Sequence, residues 1–482
     1  MFSESSALVS AVEIRGLFGN KYLRVDFSGK GEDQLKGRRL SLLYGKNGSG
    51  KTTLLKLLWH ALSPSDSLGH RSQISQTPFE TFTIYLCSGD VINFVKAQDL
   101  VGDFTVTVVN GDRKLVEQYY KGLPDGRAVP TPAHLSEDEA PPQQSTLFES
   151  DVEVFSRRMY RSRREIRDYL RSQHKEEADK FVRYLSNLGT GPYMLADDRR
   201  IYGDDIEEKS KRRNRHADLD ELGSHETMHG VPAELSIALR RVHEMIQRLV
   251  ISGNVSGSRG SNNVYLGILE KISQTELSEA DSTTREKLME KLEGIANKTA
   301  EYSTYGLMPN IRRESFFEIL QRTPDAKLGL AEDVLQPFLE AQEARLDALD
   351  GVVHLLGTLT KEVNRFFSNS GKSVRFKTQT GLTVLSEDGE RLQPDALSSG
   401  ERQVLLLLLN TVLARESTRL FLIDEPELSL NVKWQRQLMG ALLALTERSP
   451  VQFIVATHSI EVITGHRDSL AKVVPRNLEE FE

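Results

Sequence analysis

The chain has 482 residues and a single cysteine, Cys87. One thiol excludes an internal disulfide and a cysteine-based zinc site, and it fits a reducing compartment, so a cytoplasmic location is the expectation. Long apolar runs are also missing. The longest aliphatic run, Val404 to Leu409, falls far short of the ~20 residues a membrane helix needs, so no membrane partner is expected. The first residues carry no basic cluster followed by an apolar stretch, so no signal peptide is expected. Positive charge is not in excess: 62 Lys and Arg stand against 69 Asp and Glu, a net charge of −7. That excludes a strongly basic nucleic-acid coat and leaves room only for local basic grooves. Neither an internal repeat nor a sustained heptad pattern is visible, which excludes a long coiled-coil arm. What remains is a chain with 38% hydrophobic and 27% charged residues, enough apolar surface for a folded core.

Along the chain, Val12–Ile14, Tyr22–Phe27 and Leu40–Tyr44 read as short strands, followed by a helix from about Lys51 to Leu62. Thr81–Leu86, Val91–Lys96 and Phe104–Val109 read as antiparallel hairpins, split by Ser88-Gly89-Asp90 and Val101-Gly102-Asp103. Lys121 to Ser150 hold five of the 16 prolines and no apolar period, and read as a flexible linker. Residues 151–188 read as a helix whose Arg157, Arg161, Arg164 and Arg171 lie opposite its apolar face. This stripe at 157–171 is a candidate DNA contact; because Glu153 and Asp168 share it, a solvated face is the plainer reading. The basic segment Glu207 to Asp220 reads as a loop. Helices are expected from Ala233 to Asn369, with a break at Ser252–Ser261 and one long helix over Phe338–Phe367. A hairpin (Val374–Phe376 with Leu382–Leu385) returns the chain to β structure, and the C-terminal part alternates helix and strand, the pattern of a parallel sheet.

Four stretches carry chemistry. Gly45-Lys46-Asn47-Gly48-Ser49-Gly50-Lys51-Thr52, followed by Thr53, fits the phosphate loop G-x-x-x-x-G-K-[ST] between a strand and a helix. Its glycines let backbone N–H groups turn onto phosphate oxygens, and the helix start adds a positive dipole end. Lys51 supplies a cation for the β- and γ-phosphates of ATP, and Thr52 a hydroxyl for Mg²⁺. Second, the apolar run Leu420–Ile423 ends in Asp424 and Glu425. A buried strand that emits acids at its C-terminal edge puts them where ligands sit in open α/β sheets. Asp424 is the candidate Mg²⁺ carboxylate, and Glu425 is placed to polarise an attacking water. Third, Leu397-Ser398-Ser399-Gly400-Glu401 precedes an apolar helix and forms a second anion site of small residues at a helix start. Fourth, the strand Val451–Ala456 ends in Thr457-His458.

This set resembles the ABC-class ATPases, whose signature reads LSGGQ. The resemblance implies that Ser398, Ser399, Gly400 and Glu401 of one subunit cover the γ-phosphate bound by the other, hence an ATP-dependent dimer or higher oligomer. Ser399 stands where the family has its first signature glycine. It also makes His458 the switch histidine beside the catalytic Glu425, and sets Ser429-Leu430-Asn431 in the D-loop, where Asn431 departs from the residue expected. The family's Q-loop glutamine has no clear counterpart; Gln73 and Gln76 are substitutes at best. The strings LSSGERQ, IDEPELSL and VATHS are similar to the soluble RecF/OLD/AAA_21-like branch, which includes ATPase components of bacterial antiviral defence systems of the PARIS and Septu kinds.

The expected fold class is therefore α/β: an ABC-ATPase head, a P-loop NTPase with a mixed or parallel sheet and an antiparallel β subdomain, carrying an inserted helical domain. The expected division is 1–120 for the N-terminal part of the head, 121–150 for a linker, 151–370 for the insertion, including a short buried strand at Tyr193–Leu195 that can join the head, and 371–482 for the C-terminal part of the head. The resemblance implies an ATPase switch controlling a partner effector such as a nuclease, with no nuclease domain of its own. The alternative is a RecF-like repair ATPase that clamps DNA.

Overall fold

The computed structural model describes residues 7–27, 39–45, 48–66, 68–131, 179–189, 191–196, 201–203, 231–258 and 283–477. The arginine-bearing segment 157–171, the basic segment 207–220, and Lys46 and Asn47 of the phosphate loop lie outside them. In chain order the strands are β1 (Val9–Leu17), β2 (Lys21–Asp26), β3 (Leu40–Tyr44), β4 (Thr81–Leu86), β5 (Asp90–Lys96), β6 (Phe104–Asn110), β7 (Arg113–Gly122), β8 (Ala128–Thr131), β9 (Tyr193–Leu195), β10 (Ile201–Tyr202), β11 (Ser373–Lys377), β12 (Gly381–Leu385), β13 (Arg391–Leu392), β14 (Leu420–Asp424), β15 (Gln452–Thr457) and β16 (Lys472–Asn477). The helices are α1 (Lys51–Leu62), α2 (His70–Gln76), α3 (Lys180–Leu188), α4 (Val231–Ser258), α5 (Thr283–Thr304), α6 (Arg313–Arg322), α7 (Leu328–Phe367), α8 (Ser399–Ser417), α9 (Val432–Leu445) and α10 (Ile460–Ile463).

The chain forms two compact units. The first comprises 1–223, 414–428 and 448–482, and the second 224–413 and 429–447. Two sheets build the first unit. Its eight-stranded sheet has the order β16-β2-β1-β4-β5-β6-β7-β8, and its five-stranded sheet the order β10-β9-β14-β15-β3. Strict alternation explains the former: Phe82, Ile84 and Leu86, then Ile92 and Phe94, then Phe104, Val106 and Val108 are all buried on one face. In the latter, β14 and β15 are buried at every residue, as parallel strands covered on both faces require. β9, β14, β15 and β3 run parallel.

α1 packs on β9, β14 and β15. Its Leu54, Leu55, Leu57 and Leu58 join Phe82 and Ile84 of one sheet and Leu422 and Ile454 of the other in a single apolar cluster. Each such leucine, removed from water, contributes about 1.5–3 kcal/mol. The helix that opens at the phosphate loop is thereby held between two sheets. Gln452 adds a polar clamp: its Oε1 accepts from the amides of Leu8 (3.0 Å) and Val9 (2.9 Å), and its Nε2 donates to the Val9 carbonyl at 2.8 Å. The start of β15 is thus pinned to β1.

β structure reaches further than expected. β7 runs to Gly122, and β8 occupies Ala128–Thr131 inside the segment read as linker. Pro130 is compatible with a strand here because β8 is the edge of its sheet, where a missing N–H breaks no ladder.

In the second unit α7 packs against α4, α5 and α9, and the three-stranded sheet β11-β12-β13 packs on α4 and α7. Residues 371–413 and 429–447 therefore compact with the helices, not with the two large sheets. α4 continues through the expected break to Ser258. At Gly253 a Cβ would lie 2.8 Å from Leu349 Cδ2 and 3.1 Å from the Ala348 carbonyl oxygen, so this glycine serves close helix–helix approach instead of ending the helix. α7 likewise begins ten residues before the expected start, at Leu328, and passes through Pro337. Burial of Leu328 and Leu339, and the Phe316–Phe338 ring stack (5.8 Å), hold that end in place.

Beside α1 lies a buried pair: His60 Nδ1 and His70 Nδ1 are 3.0 Å apart. One must donate and the other accept, so the contact needs a neutral acceptor. Burial, then the nearby His70 and Arg71, push His60 from its ordinary 6.5 down to about 3. The unfolded chain takes this proton as pH falls below 6.5, whereas the folded one refuses it until about 3. Stability is therefore full above 6.5 and declines through that window, by up to about 1.4 kcal/mol per pH unit. Urea midpoints between pH 7.5 and 5 should fall, and His60→Leu should flatten the slope; an unchanged slope in the variant would count against this assignment.

Candidate active site

The phosphate loop, Asp424-Glu425 and His458 converge at one edge of the five-stranded sheet. Register brings them there: Tyr44 of β3 lies opposite Thr457 of β15, and Asp424 of β14 opposite Ala456. The three C-terminal strand ends lie within one residue of each other, so Gly45, Glu425 and His458 all follow at the same edge.

Backbone chemistry shapes the loop. Gly48 has φ 75° and Gly50 φ 92°, left-handed values that glycine adopts without a steric penalty. A Cβ at Gly50 would lie 3.2 Å from Leu17 Cδ2, whereas at Gly48 it would meet nothing within 4 Å. Gly50 is also the N-cap of α1, and no side chain caps that end. Lys51 Nζ donates to the Gly45 carbonyl at 2.9 Å and to Ser49 Oγ at 3.3 Å, folding over its own loop. Burial lowers the Lys51 ammonium below its ordinary value, opposed in turn by Asp424, Glu425 and Glu427. Thr52 and Thr53 follow in the first turn of α1, partly exposed.

Asp424 is buried, at 3% exposure. Glu425 carries a left-handed backbone, φ 48°, uncommon for a residue with a Cβ and a conformation that costs on the order of 1–3 kcal/mol. Two bonds hold it: the Glu425 amide donates to the Ala456 carbonyl at 2.9 Å, and its carbonyl accepts from the Leu428 amide at 3.2 Å. His458 Nε2 lies 3.5 Å from Glu425 Oε1, within ion-pair reach when the imidazole is protonated and long for a hydrogen bond.

Three residues not singled out from the sequence belong to this edge. Glu427 Oε1 accepts from Thr457 Oγ1 and from the amides of His458 and Ser459. Lys21 Nζ donates to the Gly48 carbonyl at 2.9 Å. Phe18, half exposed and with φ 55°, lies beneath that ammonium, 5.8 Å from ring centroid to Nζ. The only textual trace was a third acid in the string Asp424-Glu425-Pro426-Glu427.

The signature-like residues fall in the second unit. There Ser398 and Glu401 form a capping box. Ser398 Oγ accepts from the Glu401 amide (3.3 Å), and Glu401 Oε2 accepts from the Ser398 amide (2.8 Å). Lys372 Nζ donates to both Glu401 carboxylate oxygens, at 3.0 and 2.9 Å. Burial works to raise the Glu401 carboxyl, but the Lys372 and Ser398 hydrogen bonds outweigh it and hold the group low. Glu401 is thus turned inward, while Ser398 and Ser399 are exposed. Asn431 caps α9, accepting from the Trp434 amide at 2.9 Å. Gln76 Nε2 donates to the Gly126 carbonyl. A Cβ at Gly400 would sit 2.9 Å from the Ser429 carbonyl oxygen and 3.3 Å from Trp434 Cζ3. Gly400→Ala should therefore lower stability by about 1–3 kcal/mol, read as a reduced urea midpoint; wild-type stability would show that the contact yields freely.

Do these residues fit ATP and Mg²⁺? Glycines with left-handed backbone, an uncapped helix start and a lysine above them form a phosphate cradle. Among the described residues no three His, Cys, Asp or Glu side chains converge as a protein-only metal site. Mg²⁺ is held by one or two protein oxygens together with phosphate and water, and Thr52 and Asp424 carry a hydroxyl and a carboxylate of that kind.

Residues 267–464 match a family described as "AAA domain, putative AbiEii toxin, Type IV TA system", AAA_21. A search of curated proteins found no match. Among solved structures, the chain is similar to the Smc head domain with an extended coiled coil bound to the C-terminal domain of ScpA from Pyrococcus furiosus, at 14% identity, 98% and 97% coverage and a TM-score of 0.35. It is also similar to an Smc head with a coiled coil and joint from Pyrococcus yayanosii, at 15% identity, 98% and 97% coverage and a TM-score of 0.31. The fold is α/β: two sheets, one of them mainly parallel, build the first unit, and helices with a small three-stranded sheet build the second. Among the described residues, no helix is long and apolar enough to cross a membrane.

Proposed function

We propose that this protein is an ABC-type ATPase that binds ATP, dimerises around it and uses hydrolysis to reset, so switching a partner effector such as a nuclease or toxin in antiviral defence. The observation that carries the reading is the ending of three strands within one residue of each other, which sets Lys51, Asp424, Glu425 and His458 around one edge. In it, the loop amides and Lys51 bind the phosphates, and Thr52 and Asp424 hold Mg²⁺. The metal, when bound, neutralises charge on the phosphoryl oxygens. Glu425 accepts the proton of an attacking water, and the His458 imidazole orients that water or the phosphoryl group. Ser398 and Ser399, exposed at the start of α8, and the buried Gly400 beside them serve as the facing anion site in a second copy. The family description, which names a toxin of a toxin–antitoxin system, supports the defence setting.

Phosphate release by the purified protein with ATP and Mg²⁺, and its particle mass with and without nucleotide, test this. Hydrolysis together with an ATP-dependent doubling of mass is expected. Absence of both would remove the reading. Strong stimulation by duplex DNA with steep salt dependence would favour the DNA clamp instead.

A further inference from the structure

We infer that Glu427 is a positioning residue for hydrolysis, fixing the His458 imidazole against Glu425; the inference rests on the hydrolytic reading above. Glu427 makes no step of the reaction. A single carboxylate oxygen, Oε1, accepts from Thr457 Oγ1 at 2.7 Å, from the His458 amide at 2.8 Å and from the Ser459 amide at 3.1 Å. The Ser459 amide is shared with Thr457 Oγ1 at 3.0 Å. The chain is therefore tied before His458 through the Thr457 hydroxyl, and at and after it through the His458 and Ser459 amides. Hydrogen bonds to an ionised carboxylate are the stronger kind, so three on one oxygen make a stiff junction.

The other side of the junction is equally constrained. Glu427 lies two residues beyond Glu425, whose left-handed backbone is bonded to Ala456, one residue before Thr457. The same short turn thus carries the candidate base and grips the loop that carries the histidine. With the His458 backbone held, only its two side-chain torsions remain to set Nε2, 3.5 Å from Glu425 Oε1. A displacement of about 1 Å in such a pair can lower turnover on the order of 10²-fold.

Glutamine and alanine separate position from charge. Glu427→Gln keeps a carbonyl oxygen that can accept the same three bonds; Glu427→Ala removes the acceptor. In steady-state ATP hydrolysis the alanine variant should lose about 10- to 100-fold in kcat. Its KM and its affinity for a fluorescent ATP analogue should stay near wild type, and glutamine should restore most of the loss. Thr457→Val, which deletes one donor and no carboxylate, should shift kcat the same way by less and covers the case in which the alanine variant folds poorly. A second readout needs no turnover. In protein labelled with ¹⁵N-histidine, the His458 imidazole signal (assigned by its loss in His458→Gln) should move or broaden in Glu427→Ala and stay in place in Glu427→Gln. Wild-type protein without hydrolysis would defeat the ATPase reading, and the histidine signal would still judge the placement. Unchanged kcat in Glu427→Ala, a parallel loss of nucleotide affinity, a glutamine variant as impaired as alanine, or an unmoved His458 signal would each overturn the inference.

Discussion

Glu425→Gln is expected to lower ATP turnover by about 10²–10⁴-fold, the range that a positioned general base contributes, with ATP binding retained. The amide is isosteric with the carboxylate and cannot take a proton from water. Nothing in the fold around it should change: the strained φ of 48° is held by main-chain bonds to Ala456 and Leu428, which do not involve the side chain. Loss of its charge also removes one of the three carboxylates acting on Lys51, so binding of a polyanion should not suffer. ATP should then accumulate in the bound state, and the proposed closed dimer with it. Single-turnover hydrolysis and particle mass in ATP are the measurements. Wild-type turnover in the variant would remove Glu425 from the reaction. A wild type that turns over slowly and is indifferent to the change would point to a scaffold that binds nucleotide only to assemble.

The second large effect is on binding. Lys51→Ala should weaken ATP affinity by roughly 10- to 100-fold or more, from the ~1.5–3 kcal/mol of a charged hydrogen bond. Charge explains why the loss should reach the upper end. Lys51 is the cation set among Asp424, Glu425 and Glu427, and without it those acids face the phosphates directly. Lys51→Arg should not rescue, because a planar fork cannot replace a compact ammonium seated 2.9 Å from the Gly45 carbonyl. Fluorescent-nucleotide titration at fixed Mg²⁺ measures the effect. Affinity within twofold of wild type would show that the loop amides alone hold the phosphates.

Much of the site was legible because its chemistry is local. Gly48 and Gly50, in a phosphate-loop pattern, mark left-handed backbone, and the four-residue apolar run Leu420–Ile423, too short for a helix and ended by acids, reads as a strand buried on both faces. Acids placed just beyond it must sit at its edge. Glu427 was not legible in the same way. Its partners, Thr457, His458 and Ser459, lie 30 to 32 residues away, and a carboxylate reads identically whether it faces solvent or grips a loop. Lys21 reaches Gly48 across 27 residues with no pattern to mark it. The linker reading overreached at Thr131 because proline content was weighed without knowing which strand would be the edge. The Gly/Ser reading of α4 erred because Gly253 serves the approach of α7.

By itself, then, the amino-acid sequence determined the phosphate loop, the acid-ended and histidine-ended strands, their order, and the α/β class, since each follows from the conformational limits of a few neighbouring residues. Only the tertiary structure decided that the strands ending in Tyr44, Asp424 and Thr457 finish within one residue of each other, that 371–413 and 429–447 compact with the helices, that Glu401 turns inward to Lys372, and that Glu427 ties the histidine loop. Register and side-chain reach depend on burial shared by segments as distant as Leu8 and Gln452, 444 residues apart, and no local pattern encodes which distant surface a side chain will meet.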